Sequence, residues 1–297
     1  MKVEDIKRVL VVGAGSMGSQ IAMQIALHGY SVTLNDLTPE LLDRAMKGNH
    51  EQLAKRVAKG QMTQAHMDEA VARVRLETDL ERAAREADLV IEAIIERLEP
   101  KRDCFAKLDR SSPPHTILVT NSSTLMISQI ADATKRPDLC ANMHWFFPPL
   151  VMRLVEVVKG AQTSEETVRL VAEFTTKIGR EPVILRKELP GFLVNRILRA
   201  QAREAYYLLD EGVASFADID KAVELGLNHP MGPFKLSDFS GLDIGYHARL
   251  ETYNVTRDAR DAPPKALEAR VKRGDLGRKT GRGFYDWTTN PPTPTKD

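Results

Sequence analysis

The chain has little of several things that would narrow its role at once. It holds two cysteines in 297 residues, Cys104 and Cys140. That is too few for a disulfide framework, and neither sits in a CxxC or CxxH arrangement. They read as ordinary thiols in a reducing compartment. A dominant charge is missing as well: 42 basic and 41 acidic side chains leave a net charge of +1. No global field therefore steers the chain to nucleic acid or an anionic membrane, and a polyanionic ligand would need a local basic patch. No stretch approaches the roughly 18 apolar residues of a membrane span. The apolar part of MKVEDIKRVLVVG is too short for a secretory leader. The cytoplasm is the expected location. No repeat of solenoid length is present, and no metal is called for.

What is there suits a globular protein of roughly two domains. Short β-branched runs alternate with helical patterns through the first two-thirds. VLVVG, SVTLND, ADLVIEAI, TILVT and MRLVEVV read as strands, with CANMHWF and PVILRK as further ones. Between the second and third, residues 39–58 read as a helix, with Thr38 as N-cap, Pro39 in the first turn and Gly60 just past the end. Thr163-Ser164-Glu165-Glu166 opens another helix with a capping-box pattern. Buried strands alternating with helices predict an α/β doubly wound parallel sheet. From Pro190 the pattern turns all-helical and no strand is expected. The expected division is 1–188, then a helical 189–287, then a disordered Pro/Thr tail at 288–297.

Gly13-Ala14-Gly15-Ser16-Met17-Gly18 is a GxGxxG directly after the first strand and at the head of a helix. The first glycine allows the turn, the second admits a pyrophosphate, and the third lets helix pack on strand. The helix N-terminus offers free N–H groups to the phosphates. Asp36 ends the next strand, where its carboxylate would accept ribose hydroxyls and repel a 2′-phosphate. Asp36 could instead merely end a strand or cap a helix, but the complete fingerprint favours NAD as cofactor.

Downstream, Glu156 lies among valines in LVEVV. A carboxylate there is costly to bury without a partner. His144, 12 positions earlier, is the natural one. A buried Glu–His pair fixes the imidazole tautomer and raises its basicity, as a general base requires. Ser123 follows a strand, at the sheet edge where ligands bind, and Asn195 opens the helical region. Each could also belong to a polar network without catalysis.

Five blocks in order, TNSSTL, HWFFPPLVMRLVEVV, PGFLVNR, HPMGPF and GRKTGRGFYDW, resemble the (S)-3-hydroxyacyl-CoA dehydrogenase family over nearly the whole chain. The resemblance is to its short, monofunctional, 3-hydroxybutyryl-CoA type. It implies a Rossmann-type sheet followed by a helical domain, a homodimer, and a place in fatty-acid β-oxidation. His144 and Glu156 would be the catalytic dyad, with Ser123 and Asn195 completing the site. Ser123 would touch both substrate and cofactor. Glu96, Lys101 and Lys279 would contact NAD, and Lys59 would reach coenzyme A, although Lys59 and its neighbours Lys55 and Arg56 could instead complement a helix dipole. The family's nearby serine contact falls on Gln52. The family's usual HFFNP is here His144-Trp145-Phe146-Phe147-Pro148, so Phe147 replaces a cofactor-contacting asparagine. That replacement points to a reshaped acyl pocket for a bulkier or cyclic group. Two other readings stay open. One is a dehydrogenase of free hydroxy acids or hydroxylated amines (the carnitine or gulonate type), against which HPMGPF and the basic helix end favour a CoA ester. The other is a non-catalytic NAD-binding protein.

Overall fold

The computed structural model describes residues 1–296, divided into two compact units, Met1–Leu193 and Val194–Asp297. The first contains strands β1 (Arg8–Val12), β2 (Ser31–Asn35), β3 (Val74–Glu77), β4 (Leu89–Glu92), β5 (Ile117–Thr120), β6 (Cys140–Trp145), β7 (Leu154–Val158) and β8 (Glu181–Leu185). Its helices are α1 (Ser16–Leu27), α2 (Pro39–Ala58), α3 (Gln64–Ala72), α4 (Leu80–Ala84), α5 (Leu98–Ser111), α6 (Ile127–Ala131) and α7 (Glu165–Lys177). The strands form one sheet in the order β3-β2-β1-β4-β5-β6-β7-β8.

Alternation along the strands explains the two covered faces. Val9, Val11, Ile91 and Val119 point into a core shared with Ile21 and Ile25 of α1 and Val168 and Phe174 of α7. Their neighbours Leu10, Val12, Val90 and Leu118 point to the other side, against Phe105 and Leu108 of α5 and Ile130 of α6. β3 was not foreseen. Its VRLE is half exposed, so it lacks the apolar run that marked the other strands. The sheet also departs from the all-parallel expectation at β7, which runs antiparallel to β6. Residues 146–153 are too few for a crossover helix, so the chain must double back. The helix at residues 39–58 forms as expected. That of α7 is capped one residue later than its sequence pattern suggested: Ser164 accepts the Thr167 N–H at 3.1 Å.

The second unit holds α8 (Val194–Asp210), α9 (Phe216–Leu227), α10 (Pro233–Ser240), α11 (Leu242–Thr256) and α12 (Lys265–Arg273), closed by the short strands β9 (Tyr285–Asp286) and β10 (Thr293–Pro294). Its core gathers Tyr206, Phe216, Phe234, Phe284 and Tyr285. Two fully buried carboxylates organise it. Asp220 accepts the N–H groups of Phe234 (2.8 Å) and Lys235 (2.9 Å) at the start of α10, together with the Tyr285 hydroxyl. Asp238 accepts the N–H groups of Phe284 (2.9 Å) and Tyr285 (2.8 Å) and Nε1 of Trp287 (3.0 Å). Glycine is required opposite both: a Cβ on Gly232 would lie 2.4 Å from Asp220, and one on Gly283 would lie 2.2 Å from Asp238. Gly232 to Phe234 of HPMGPF and Gly283 to Trp287 of GRGFYDW are thus docking segments for two aspartates.

The Pro/Thr tail expected to be disordered pairs instead: β10 lies antiparallel to β9. The Thr295 N–H donates to the Phe284 carbonyl at 2.9 Å. The tail gains backbone partners from a segment already anchored on Asp238, which composition does not reveal. Asp297 lies outside the described residues. Among the described residues, no helix is long and apolar enough to cross a membrane.

Burial raises the carboxyls of both Asp220 and Asp238. The folded unit therefore keeps these protons to higher pH than the unfolded chain, and the stability they contribute falls as pH rises through that window. Asp238→Ala strands three donors, two of them buried, and should cost about 3 kcal/mol, read as a lower urea midpoint. Asp238→Asn, which keeps one acceptor, should cost less.

Candidate active site

The glycine loop leaves β1 and enters α1. Gly13 has φ +100°, and a Cβ there would lie 2.6 Å from the Ala93 carbonyl oxygen. A Cβ on Gly18 would lie 1.8 Å from the Gly13 carbonyl oxygen, whereas one on Gly15 would meet open space. The first and third glycines are thus demanded by the strand and loop beside them. The second leaves room for a ligand to approach the backbone. Ser16 is exposed at the head of α1, and Met17 packs partly against the core. Asp36 is held to this loop: one carboxylate oxygen accepts the Ala14 N–H at 2.6 Å and the other the Leu37 N–H at 2.7 Å. Each oxygen keeps a lone pair for a further donor. Strand order reverses between β1 and β4, the switch point at which open α/β sheets bind dinucleotides. These residues fit NAD.

The antiparallel register of β6 and β7 sets His144 directly opposite Glu156. Their side chains join at 2.8 Å, His144 Nδ1 to Glu156 Oε2, with His144 5% exposed and Glu156 fully buried. The Leu193 N–H donates to the other Glu156 oxygen at 3.1 Å. Ring centroids of Phe146 and Phe192 lie 4.7 and 5.5 Å from the imidazole. With Nδ1 donating to the carboxylate, Nε2 carries the lone pair. No hydrogen bond occupies it among the described residues, so it is placed to take a proton. Phe192 and Leu193 also explain why the first unit ends after Leu193 rather than at residue 188: the PGFL segment is fastened to the dyad.

Ser123 sits in the turn after β5, tied to Glu96. One Glu96 oxygen accepts from Ser122 Oγ (2.6 Å), Ser123 N–H (3.0 Å), Thr124 N–H (3.1 Å) and Thr124 Oγ1 (2.9 Å). Burial acts to raise the Glu96 carboxyl, but the Ser122 bond, the Lys101 charge and the Thr124 bonds together hold it below the usual range. Lys101, 1% exposed, lies 3.3 Å from Glu96 and 2.7 Å from the fully buried Glu92. Sequence reasoning passed over Glu92, although LVIEAI shows the same signal as Glu156, a carboxylate in an apolar strand. It also passed over Asn121, whose Oδ1 accepts the Trp145 N–H at 2.9 Å and so fixes the end of β5 against the end of β6.

At the end of α2, Lys55 in its last turn and Lys59 at its C-cap are exposed. Arg56 instead donates to the Leu150 carbonyl at 2.5 Å, and Arg180 donates to that of Pro149 at 2.7 Å. Arg56 therefore clamps the loop that carries Phe147, which is 63% exposed. Gln52 is half-buried in α2. Asn195 and Lys279 belong to the second unit. Asn195 is in the first turn of α8, and Lys279 pairs with Asp243 at 2.5 Å, holding that carboxyl below its usual range.

The models of the 3-hydroxyacyl-CoA dehydrogenase NAD-binding domain and C-terminal domain match residues 8–189 and 191–287. The chain belongs to this family. It is 42% identical to a probable 3-hydroxybutyryl-CoA dehydrogenase of Bacillus subtilis, over 95% of this chain and 98% of that one. It is 40% identical to the 3-hydroxyadipyl-CoA dehydrogenase of Escherichia coli, of which it spans 59%. Among solved structures, the (S)-3-hydroxybutyryl-CoA dehydrogenase of Ralstonia eutropha superposes with TM-score 0.87 at 35% identity, covering 96% of this chain and all of that one.

Glu96→Ala removes the shared acceptor of the 122–124 turn. Faster amide exchange at Ser123 and Thr124 is expected, together with weaker NAD binding; unchanged exchange would show that the turn is ordered by other contacts.

Proposed function

We propose that the chain oxidises (S)-3-hydroxyacyl-CoA thioesters reversibly to 3-ketoacyl-CoA, with His144 as general base and Glu156 as its orienting partner. The observation that carries this reading is the buried 2.8 Å His144–Glu156 pair, in a member of this family, with the imidazole Nε2 left to accept a proton. Held by Glu156, Nε2 takes the proton of the 3-hydroxyl, and the carboxylate stabilises the imidazolium that results. Bound NAD supplies the acceptor for the hydride from C3. Ser123, fixed by Glu96, is assigned the hydrogen bond to the reacting oxygen. Asn195 joins it as a substrate contact on the sequence resemblance alone, as does Lys279 as a cofactor contact. Ser16, Met17, Gly13, Gly15, Gly18, Asp36, Glu96 and Lys101 are assigned to NAD, and Lys59, exposed at the end of α2, to coenzyme A. Arg56 leaves that set because its guanidinium is occupied by Leu150.

The acyl group is assigned by Phe147. Its exposed ring, followed in the same loop by exposed Val151 (62%) and Met152 (42%), offers an apolar surface suited to an acyl chain larger than butyryl. A cytoplasmic site and a β-oxidation role complete the reading; two buried free thiols, each pushed up to about 12 mainly by burial, suit a reducing compartment. NADH consumption should be followed at 340 nm with 3-ketoacyl-CoA thioesters of increasing length, linear and cyclic. His144→Ala is expected to lower turnover about 10²–10⁴-fold. Phe147→Asn is expected to shift preference toward the shortest thioester. Turnover that survives in the histidine variant would refute the base assignment, and an unchanged length profile would refute the role of Phe147.

The chain is further assigned as a homodimer through its helical unit. A groove of about 550 Å3 there is lined by Leu198, Ala202, Leu242 and Ala248 with Arg199 and Arg249 at its polar positions. Ile197 (61%) and Ile244 (63%) stand exposed on α8 and α11. Burial of such a face against a second copy removes apolar surface from water. Sedimentation equilibrium should give twice the chain mass, with Ile244→Asp shifting it toward the monomer. A monomeric wild type refutes the assignment.

A further inference from the structure

The chemistry above leaves Glu92 without a role. It is the last residue of β4 and has no exposed surface. One of its oxygens accepts from Lys101 Nζ and the Ile94 N–H, both at 2.7 Å, and the other from Thr120 Oγ1 at 2.6 Å. The same ammonium serves Glu96 at 3.3 Å. Two carboxylates thus share one cation. Among the described residues, no further charged side chain is ion-paired to any of the three. The set carries one surplus negative charge, two of its three members being sealed from water, where charges act most strongly.

Hydrogen bonding alone does not call for that surplus. A neutral side-chain amide at position 92 keeps one oxygen for Lys101 and the Ile94 N–H, while its NH2 would face Thr120 Oγ1, a hydroxyl that can accept instead of donate, and Glu96 alone would balance Lys101. The location gives the charge a use. The dinucleotide lies across the β1/β4 switch point. Asp36, at the end of β2, marks the adenosine side, so the end of β4 and the turn after it lie on the nicotinamide side. The oxidised ring carries one more positive charge than the reduced ring.

We propose that Glu92, through the surplus negative charge of the Glu92–Lys101–Glu96 set, biases the cofactor site toward oxidised over reduced nicotinamide. The bound couple then has a lower reduction potential than the same site with a neutral residue 92, and release of NADH is favoured over release of NAD+. Glu92 touches neither ring nor substrate. It acts as a positioning and tuning residue, by holding Lys101 and by its charge. The inference rests on the cofactor half of the functional reading; a different substrate would leave it intact.

The test is equilibrium binding of NAD+ and of NADH to the full-length protein without thioester, for the wild type, Glu92→Gln and Glu96→Gln. The ratio Kd(NAD+)/Kd(NADH) is expected to rise about tenfold in both variants, the order of effect of a unit charge roughly 10 Å away in a protein interior. NADH affinity should hold or improve in Glu92→Gln, whose residue makes no cofactor contact, whereas Glu96→Gln is read on the ratio alone. A ratio that stays constant in the variants overturns the proposal, whether affinities are unchanged or both forms weaken alike, because damage to the fold or loop does not distinguish the two redox states. Should Glu92→Gln not fold, Glu96→Gln decides on the same ratio, since its carboxylate is partly exposed and its amide keeps an acceptor for the 122–124 turn.

Discussion

The antiparallel pairing of β6 with β7 is the constraint on which the site depends. Every other neighbouring pair in the sheet is parallel, and parallel neighbours need a long crossover. Here a loop of eight residues, 146–153, reverses the chain and brings His144 face to face with Glu156. A slip of one residue would turn every side chain of β7 to the opposite face. The pair has little freedom to be anything but a hydrogen-bonded dyad, since Glu156 is fully buried and needs a partner. Leu193 then takes the second carboxylate oxygen, which fastens the end of the first unit to the same residue.

A second buried carboxylate has a comparable role elsewhere in the sheet. Glu92 ends β4 as Glu156 lies within β7, and each is held in an apolar strand by a basic partner. In one case the partner is a histidine, which can carry a lone pair on its second nitrogen; in the other it is a buried lysine held by two carboxylates. The difference separates a pair placed to pass a proton from a pair that only holds charge in place. Through Lys101 and Glu96 the second pair reaches the turn that presents Ser123, so that turn is hydrogen-bonded back to the sheet edge.

The helical unit follows the same logic with different chemistry. Its motif glycines are spaces for Asp220 and Asp238, and its motif aromatics are the core those aspartates hold in register. Motifs that mark a family by sequence thus divide into two physical kinds. HWFFPPLVMRLVEVV and TNSSTL carry the His144–Glu156 pair and the Ser123 turn, while HPMGPF and GRGFYDW build the unit itself.

What the sequence determined by itself was set by local rules. The glycine loop with Asp36 announced a dinucleotide site, because glycine spacing and a strand-ending acid are requirements of backbone geometry. Glu156 announced a buried pair, because a charge among valines needs compensation. Glu92 carries the same signal, a carboxylate in an apolar strand, but no histidine stands near it in the sequence to name its partner. Other features waited on the tertiary structure because they depend on what lies across space. The half-exposed strand β3 exists because β2 offers it an edge, and the Pro/Thr tail is ordered by a strand already anchored on Asp238. Arg56 is a clamp rather than a ligand group because the Leu150 carbonyl stands before it. The register that makes His144 and Glu156 one unit belongs to the same class. Sequence spacing allows that contact, but only the direction of β7, set by the length of a loop and the faces it must bury, decides it.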